Sequence, residues 1–252
     1  YALLRSTKST RIVAPEQEAS VRKLTMRLTG NMQRYLWGFD NKTLSEDAVI
    51  PVSKGEVLRI EFINDTMMHH PLHLHGHFFR VLNGQGDHAP LKHTVDVPPM
   101  GRRTIEWIAD EEGGDWFFHC HMLYHMDAGM ARVFSYRGQG AGHIPKLDPK
   151  LIDPWHLMVD GSVQTHMTMG MVMLMRGRND YYLSWDSGLG QIHDDREIDV
   201  AWSRYLDPNW STVLGFRFTT DPHAENRAFA GVRYRLPYLF HTSWTVDSEG
   251  DA

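Results

Sequence analysis

Two short runs constrain this chain more than anything else in it: His70-Pro-Leu-His-Leu-His-Gly-His77 and His119-Cys-His-Met-Leu-Tyr-His-Met-Asp-Ala-Gly-Met130. Both read as strand-like, and side chains alternate across a strand with period two. His73 and His75 then share one face while His70 points to the other. His119 and His121 likewise share a face that Cys120 does not. A fold that holds both runs has to lay two strands together so that each straddles two centres.

The donor types at those centres differ. On one side Cys120, His70 and His125 offer a thiolate and two imidazoles, with Met130 as a weak thioether, which is the donor set of a blue-copper electron-transfer site. On the other side His73, His75, His119 and His121 offer imidazoles only, a set suited to copper that binds oxygen or water. Cys120 is adjacent in sequence to both His119 and His121, so these three residues form a short covalent route between the centres. His-rich segments also bind metals adventitiously, and a lone histidine on an apolar strand is usually a core residue. Here residue types, i,i+2 spacing and the single cysteine of the chain agree. His69 and His77 fit no role and are read as supporting or surface residues.

These two motifs resemble the C-terminal copper-binding motifs of multicopper oxidases. The resemblance extends over about 21–136 and includes Tyr35-Leu-Trp-Gly-Phe-Asp40, Pro51-Val-Ser-Lys-Gly-Glu56, Ile60-Glu-Phe-Ile-Asn-Asp65 and Lys92-His-Thr-Val-Asp-Val-Pro-Pro99. It is strongest to the bacterial copper-resistance oxidases, which share the Lys92-His-Thr stretch and the Ala-Gly-Met ending. The resemblance implies a cupredoxin-like Greek-key sandwich. It implies that His70, Cys120, His125 and Met130 are type 1 copper ligands, His73 a type 2 ligand, and His75, His119 and His121 type 3 ligands. In the family the trinuclear cluster takes eight histidines, and only four are matched. The other four come from an N-terminal cupredoxin domain with two further His-x-His pairs, and no such pair precedes residue 60 or follows residue 121. The chain is therefore expected to be the C-terminal part of a longer oxidase, or to be completed by another subunit.

Composition sets the outer bounds. With 252 residues, 42% of them hydrophobic, a sizeable core can be buried, and a net charge of -5 argues against nucleic acid as a partner. There is no apolar run of eighteen residues, and one cysteine excludes an internal disulfide. Strands are expected at 24–29, 57–63, 78–82, 103–108, 115–120 and 131–136, between Gly, Pro, Asn and Asp turns. The domain expectations are an N-terminal segment (1–20), a cupredoxin-like copper domain (21–137), a Gly/Pro linker (138–155) that includes Gly138-Gln-Gly-Ala-Gly142, and a last region (156–252).

That last region alternates strongly. Strands are expected at 197–205, 212–219, 228–235 and 238–246, joined by turns at Asp207-Pro-Asn209 and Asp221-Pro-His223. They are of about the length that a tilted membrane strand needs, although a soluble meander packing its apolar faces together has the same pattern. Residues 178–252 resemble the start of the copper-resistance outer-membrane barrel family, notably in Tyr205-Leu-Asp-Pro-Asn-Trp-Ser-Thr-Val-Leu-Gly-Phe-Arg217 and Arg227-Ala-Phe-Ala-Gly-Val-Arg-Tyr-Arg-Leu-Pro-Tyr-Leu-Phe240. About six strands are expected, fewer than the eight of the smallest closed barrels. The fold class expected for the whole is all-β: a sandwich followed by an antiparallel meander or partial barrel. Before it, Met167-Thr-Met-Gly-Met-Val-Met-Leu-Met175 puts five methionines on one strand face. Thioethers suit Cu(I); the plainer reading is an apolar face filled with flexible side chains.

The two resemblances imply a copper-resistance multicopper oxidase in a Gram-negative envelope, periplasmic with an outer-membrane association. The implied reaction oxidises Cu(I), or phenols in a laccase-like version, at type 1 copper. Electrons then pass through Cys120 to His119 and His121, and O2 is reduced to water. Met130, in place of leucine, points to a modest potential. The alternative is a copper-binding or sequestering protein without turnover.

Overall fold

The structure, a computed structural model, describes residues 7–9, 21–31, 36–136, 153–189, 196–207, 209–222, 224–236 and 241–249. The chain divides into two compact units, Tyr1–Asp153 and Pro154–Ala252. Among the described residues both are nearly all β. The N-terminal segment 1–20 lies outside the described residues apart from 7–9, where the Thr7 carbonyl accepts from Asn83 Nδ2 (2.7 Å) and Ser9 N–H donates to the His88 carbonyl (2.8 Å). Most of the 138–155 linker, with its glycine run, also lies outside them.

The first unit contains β1 (Val21–Asn31), β2 (Leu36–Phe39), β3 (Val49–Val52), β4 (Val57–Asn64), β5 (His70–Leu74), β6 (Phe79–Val81), β7 (Leu91–Lys92), β8 (Thr94–Val97), β9 (Arg102–Ile108), β10 (Asp115–Cys120) and β11 (Ala131–Tyr136). They form two sheets, β2-β1-β4-β9-β6-β7 and β3-β11-β10-β5-β8. The chain changes sheet at most steps, which laces a Greek-key sandwich together. In β4, Leu58, Ile60 and Phe62 point inward between the less buried Arg59, Glu61 and Ile63. Phe118 of β10 meets Phe39, Phe62 and Phe134, each with ring centroids 5.6 Å away. Both sheets therefore share one core.

The expected strands of this unit are present, and 115–120 and 131–136 coincide with β10 and β11. The second metal-ligand run corrects the expectation, because it is not strand throughout. Past Cys120 the chain turns into a short helix, α1 (Leu123–Asp127). The helix closes with paired bonds, Gly129 N–H to the Met126 carbonyl and Met130 N–H to the His125 carbonyl (both 2.9 Å). This is the Schellman pattern, which needs a left-handed residue after the cap. Gly129 supplies it with φ +112, and a Cβ there would lie 2.5 Å from Thr43 Cβ. The helix presents His125, and its closure turns the chain so that Met130 returns beside β10.

The second unit is a sequential antiparallel meander of β12 (His156–Val163), β13 (Met167–Arg176), β14 (Asn179–Gly188), β15 (Arg196–Tyr205), β16 (Trp210–Thr219), β17 (Arg227–Arg235) and β18 (His241–Asp247). That makes seven strands rather than about six. Edge strands β12 and β18 do not pair among the described residues, so the sheet is open. The turn residues Pro208 and His223, and residues 238–240 of the last expected strand, lie outside the described residues.

Register decides which side chains share a face. Leu157 and Val159 align through Leu174 and Val172, Tyr181 and Leu183, and Trp202 and Val200 with Leu214 and Phe216. Val232, Trp244 and Val246 continue that face. It is exposed, to 66% at Leu157 and 56% at Trp244. The five buried residues of the described part of this unit, Asp180, Ala201, Ser203, Ser211 and Val213, all lie on the other face. On that face Arg233 of β17 donates to Tyr182 of β14 (2.6 Å), a bond that reaches across β15 and β16. The sheet thus curls around its polar face. A meander whose apolar faces pack together is the arrangement this overturns.

Candidate metal centres

Strand β5 alternates from inward His70, Leu72 and Leu74 to the outward His73, and β10 runs antiparallel to it with His119 opposite His73 and Cys120 opposite Leu72. One register therefore serves two clusters on opposite sides of the same sheet.

Inside the sandwich, Cys120 Sγ lies 3.7 Å from both His70 Nδ1 and His125 Nδ1, and the two nitrogens are 3.1 Å apart. All three residues are buried. A point equidistant from these atoms lies about 2 Å from each, close to the bond length of an imidazole to a first-row divalent ion. The donor triangle thus fits a metal of copper's size without rearrangement. Met130 is fully buried beside it, its N–H bonded to the His125 carbonyl and its carbonyl accepting from Cys120 N–H (3.0 Å).

Burial pushes the Cys120 thiol up to about 12. Burial also holds His70 down to about 3, helped by repulsion from His125 and His69, and His125 down to about 4. The imidazoles are consequently neutral, the form that binds metal, and the thiol gives up its proton when an ion enters.

Neighbours fix the rings. His70 Nε2 lies 2.7 Å from Thr66 Oγ1, which donates to Asn64 Oδ1 (2.8 Å). The Asn64 amide donates in turn to the carbonyls of Met68, Val97 and Pro98. With Nε2–H donating to Thr66, Nδ1 keeps its lone pair toward Cys120. Trp37 stacks on His125 at 4.0 Å and 24°, and the Trp37 backbone N–H donates to the Ala128 carbonyl at the end of α1 (3.1 Å).

On the outer side, donor nitrogens of His73, His75 and His119 lie within 4.8 Å of one another. His75 Nε2 and His119 Nε2 are 3.1 Å apart. His119 Nδ1 bonds the Cys120 carbonyl (2.9 Å) and His73 Nδ1 the His93 carbonyl (2.8 Å), which turns both Nε2 atoms toward the cluster. His121 stands at its edge, with ring centroids 5.7 Å from His73 and 5.8 Å from His119. His75 and His121 are exposed. Burial, then the neighbouring histidines, lowers the pKa of His75; burial lowers that of His119 against its bond to the Cys120 carbonyl.

Two spare histidines take definite places. His69 Nδ1 pairs with Asp96 Oδ2 (2.9 Å). His77 is buried rather than on the surface, bonded to the His75 carbonyl (2.9 Å) and the Tyr136 hydroxyl (3.1 Å) and packed edge-on against Trp107 and Trp116. It anchors the turn after His75. Asn64, Thr66, Trp37 and His93 are site residues that sequence reasoning gave no role, although Asn64, Trp37 and His93 lie within the quoted resemblance segments.

Residues 17–139 match the family model for multicopper oxidase. They form a multicopper oxidase domain. The chain is 42% identical over 132 residues to a copper resistance protein A homolog of Pseudomonas syringae pv. tomato, covering 52% of this chain and 22% of that protein. Copper resistance protein A of Escherichia coli is also 42% identical over 132 residues, with 52% and 21% covered. The chain thus spans about a fifth of the length of these relatives. A crystal structure of the McoA multicopper oxidase from Aquifex aeolicus is 25% identical and covers 50% of this chain and 31% of that one, with a TM-score of 0.42. Copper is the cofactor of such domains, and the Cys120 triangle fits it.

Proposed function

We propose that this chain supplies the electron-accepting half of a copper-resistance oxidase that acts on Cu(I). His70, Cys120 and His125, with Met130 as the weak axial thioether, would hold type 1 copper. His73 would serve as a type 2 ligand and His75, His119 and His121 as type 3 ligands. The carrying observation is that Cys120 closes the inner triangle while its neighbour His119, bonded to the Cys120 carbonyl, faces the outer cluster. Bound copper would supply one-electron oxidation of substrate and, at a complete cluster, reduction of O2 to water.

The chain's own residues do the rest. The buried triangle holds neutral donors at preset spacing, Thr66 and Trp37 orient the imidazoles, and the backbone from His119 to His121 joins the two centres. His75 and His121 of the outer cluster are exposed, which leaves it open to histidines from an N-terminal cupredoxin domain or another subunit. We place the oxidase unit in the periplasm and read Pro154–Ala252 as part of an outer-membrane barrel. Support for the barrel comes from its exposed apolar face, the burial of Asp180, Ser203 and Ser211 on the polar face, and an aromatic row at one end, where Trp155 just before β12 meets Tyr181 of β14 (6.1 Å) and Trp210 of β16 meets Tyr234 of β17 (4.4 Å).

Anaerobic stopped-flow mixing of the copper(II)-loaded full chain with Cu(I) tests the reading. The thiolate band should bleach with one equivalent of Cu(I) and should be missing in Cys120→Ser. A band that Cu(I) leaves intact would refute the proposal, and one bleached by a phenol alone would favour a laccase.

A further inference from the structure

All six methionines of the described second unit lie on one face: Met158 on β12 and Met167, Met169, Met171, Met173 and Met175 on β13. It is the polar face around which the sheet curls, not the apolar one. Methionine used as an apolar filler would sit with Leu157, Val159, Val172 and Leu174 on the other side, and none does. From Met167 to Met175 the row runs roughly 27 Å at the ordinary strand rise.

Register groups these thioethers. Met158 stands directly opposite Met173, with Met171 and Met175 one diagonal away, a separation that long side chains bridge. Asp160 pairs with Met171, while Asp186 and Asp180 pair with Met169 and Met175 from β14. On this face β12, β13 and β14 contribute three aspartates and no lysine or arginine. The row ends at a cavity of about 350 Å³ whose lining includes His166, Met167, Asp186, Arg196, Glu197 and Asp221. Carboxylates draw cations in general, but a hard divalent ion takes oxygen donors and leaves thioethers aside.

We propose that this face binds Cu(I), with Met158, Met171 and Met173 as its thioether donors and the remaining rungs as adjacent positions. The site uses only second-unit residues and does not depend on the copper centres of the first.

The test uses the full chain labelled with selenomethionine and carrying Cys120→Ser and Met130→Leu, which removes the thiolate and the thioether of the inner centre; the other first-unit methionines stay labelled, and the second-unit substitutions tell their selenium from that of the row. One equivalent of Cu(I) is added, and selenium-edge X-ray absorption is recorded. Selenium–copper scattering is expected, and it should be lost when Met158→Leu, Met171→Leu and Met173→Leu are added. No selenium–copper scattering in the labelled parent would overturn the proposal whether or not the triple variant folds. Scattering that persists unchanged in a folded triple variant would overturn the choice of donors.

Discussion

In the first unit the inward strand positions carry Leu58, Ile60, Phe62 and Phe118, whereas in the second Leu157, Leu214 and Trp244 lie outside while Ser203 and Ser211 are inside. The same period-two alternation thus serves opposite ends. In the sandwich it buries apolar area and, where β5 and β10 end, delivers ligands to both sides of one sheet. In the meander it exposes apolar area and keeps polar groups on the inner side of the curl. A strand pattern fixes how side chains are divided between faces; only the pairing and the curl say which face is the inside.

Four changes would break or sharpen this contrast. The largest effect is Cys120→Ser, which should abolish the intense thiolate absorption of the copper-loaded chain while leaving strand content by circular dichroism unchanged. Phe118→Ala should come next, destabilising the first unit by about 3–5 kcal/mol. Amide hydrogen exchange should show that loss in β4, β10 and β11 and leave β13 to β16 protected as before. Equal loss in both units would mean that they do not fold separately.

Val200→Lys, on the exposed apolar face, should cost about 2–4 kcal/mol if that face meets lipid. In a water-exposed sheet the same change should stay within about 0.5 kcal/mol. Unfolding from bilayers decides between them. Thr66→Ala should have the smallest effect, lowering copper affinity by about 10–100-fold through loss of the partner of His70. Competition with a chelator measures it, and an unchanged affinity would remove Thr66 from the ligand-positioning chain.

Much of the first unit is legible in the sequence because Leu58, Ile60 and Phe62 alternate cleanly and because His70 and His73 differ in parity. The helix α1 is not. Five residues are too few for a helical period, and its existence rests on the closing bonds of Gly129 and Met130 and on Trp37 packed against His125. Thr66 and Asn64 are equally hidden, since a hydroxyl and an amide are at home in any turn and only the fold brings Thr66 to His70. The structure places His77 in the core, beneath two tryptophans that come from β9 and β10. In the second unit the alternation of 197–205 and 212–219 is plain, but its inside-out sense is not. The methionine row has the same limit: one strand shows that Met167 to Met175 share a face, and only pairing with Met158, Asp160 and Asp186 reveals that the face is polar.

The central claim is that this chain holds one complete thiolate copper centre and half of a cluster. Counting copper per purified chain while recording optical and spin-resonance spectra tests it most directly. The account predicts one tightly held copper with a strong thiolate band and no magnetically coupled pair. About four coppers with a coupled pair would contradict it, because the cluster would then be complete without another domain, and so would tightly held copper without a thiolate band.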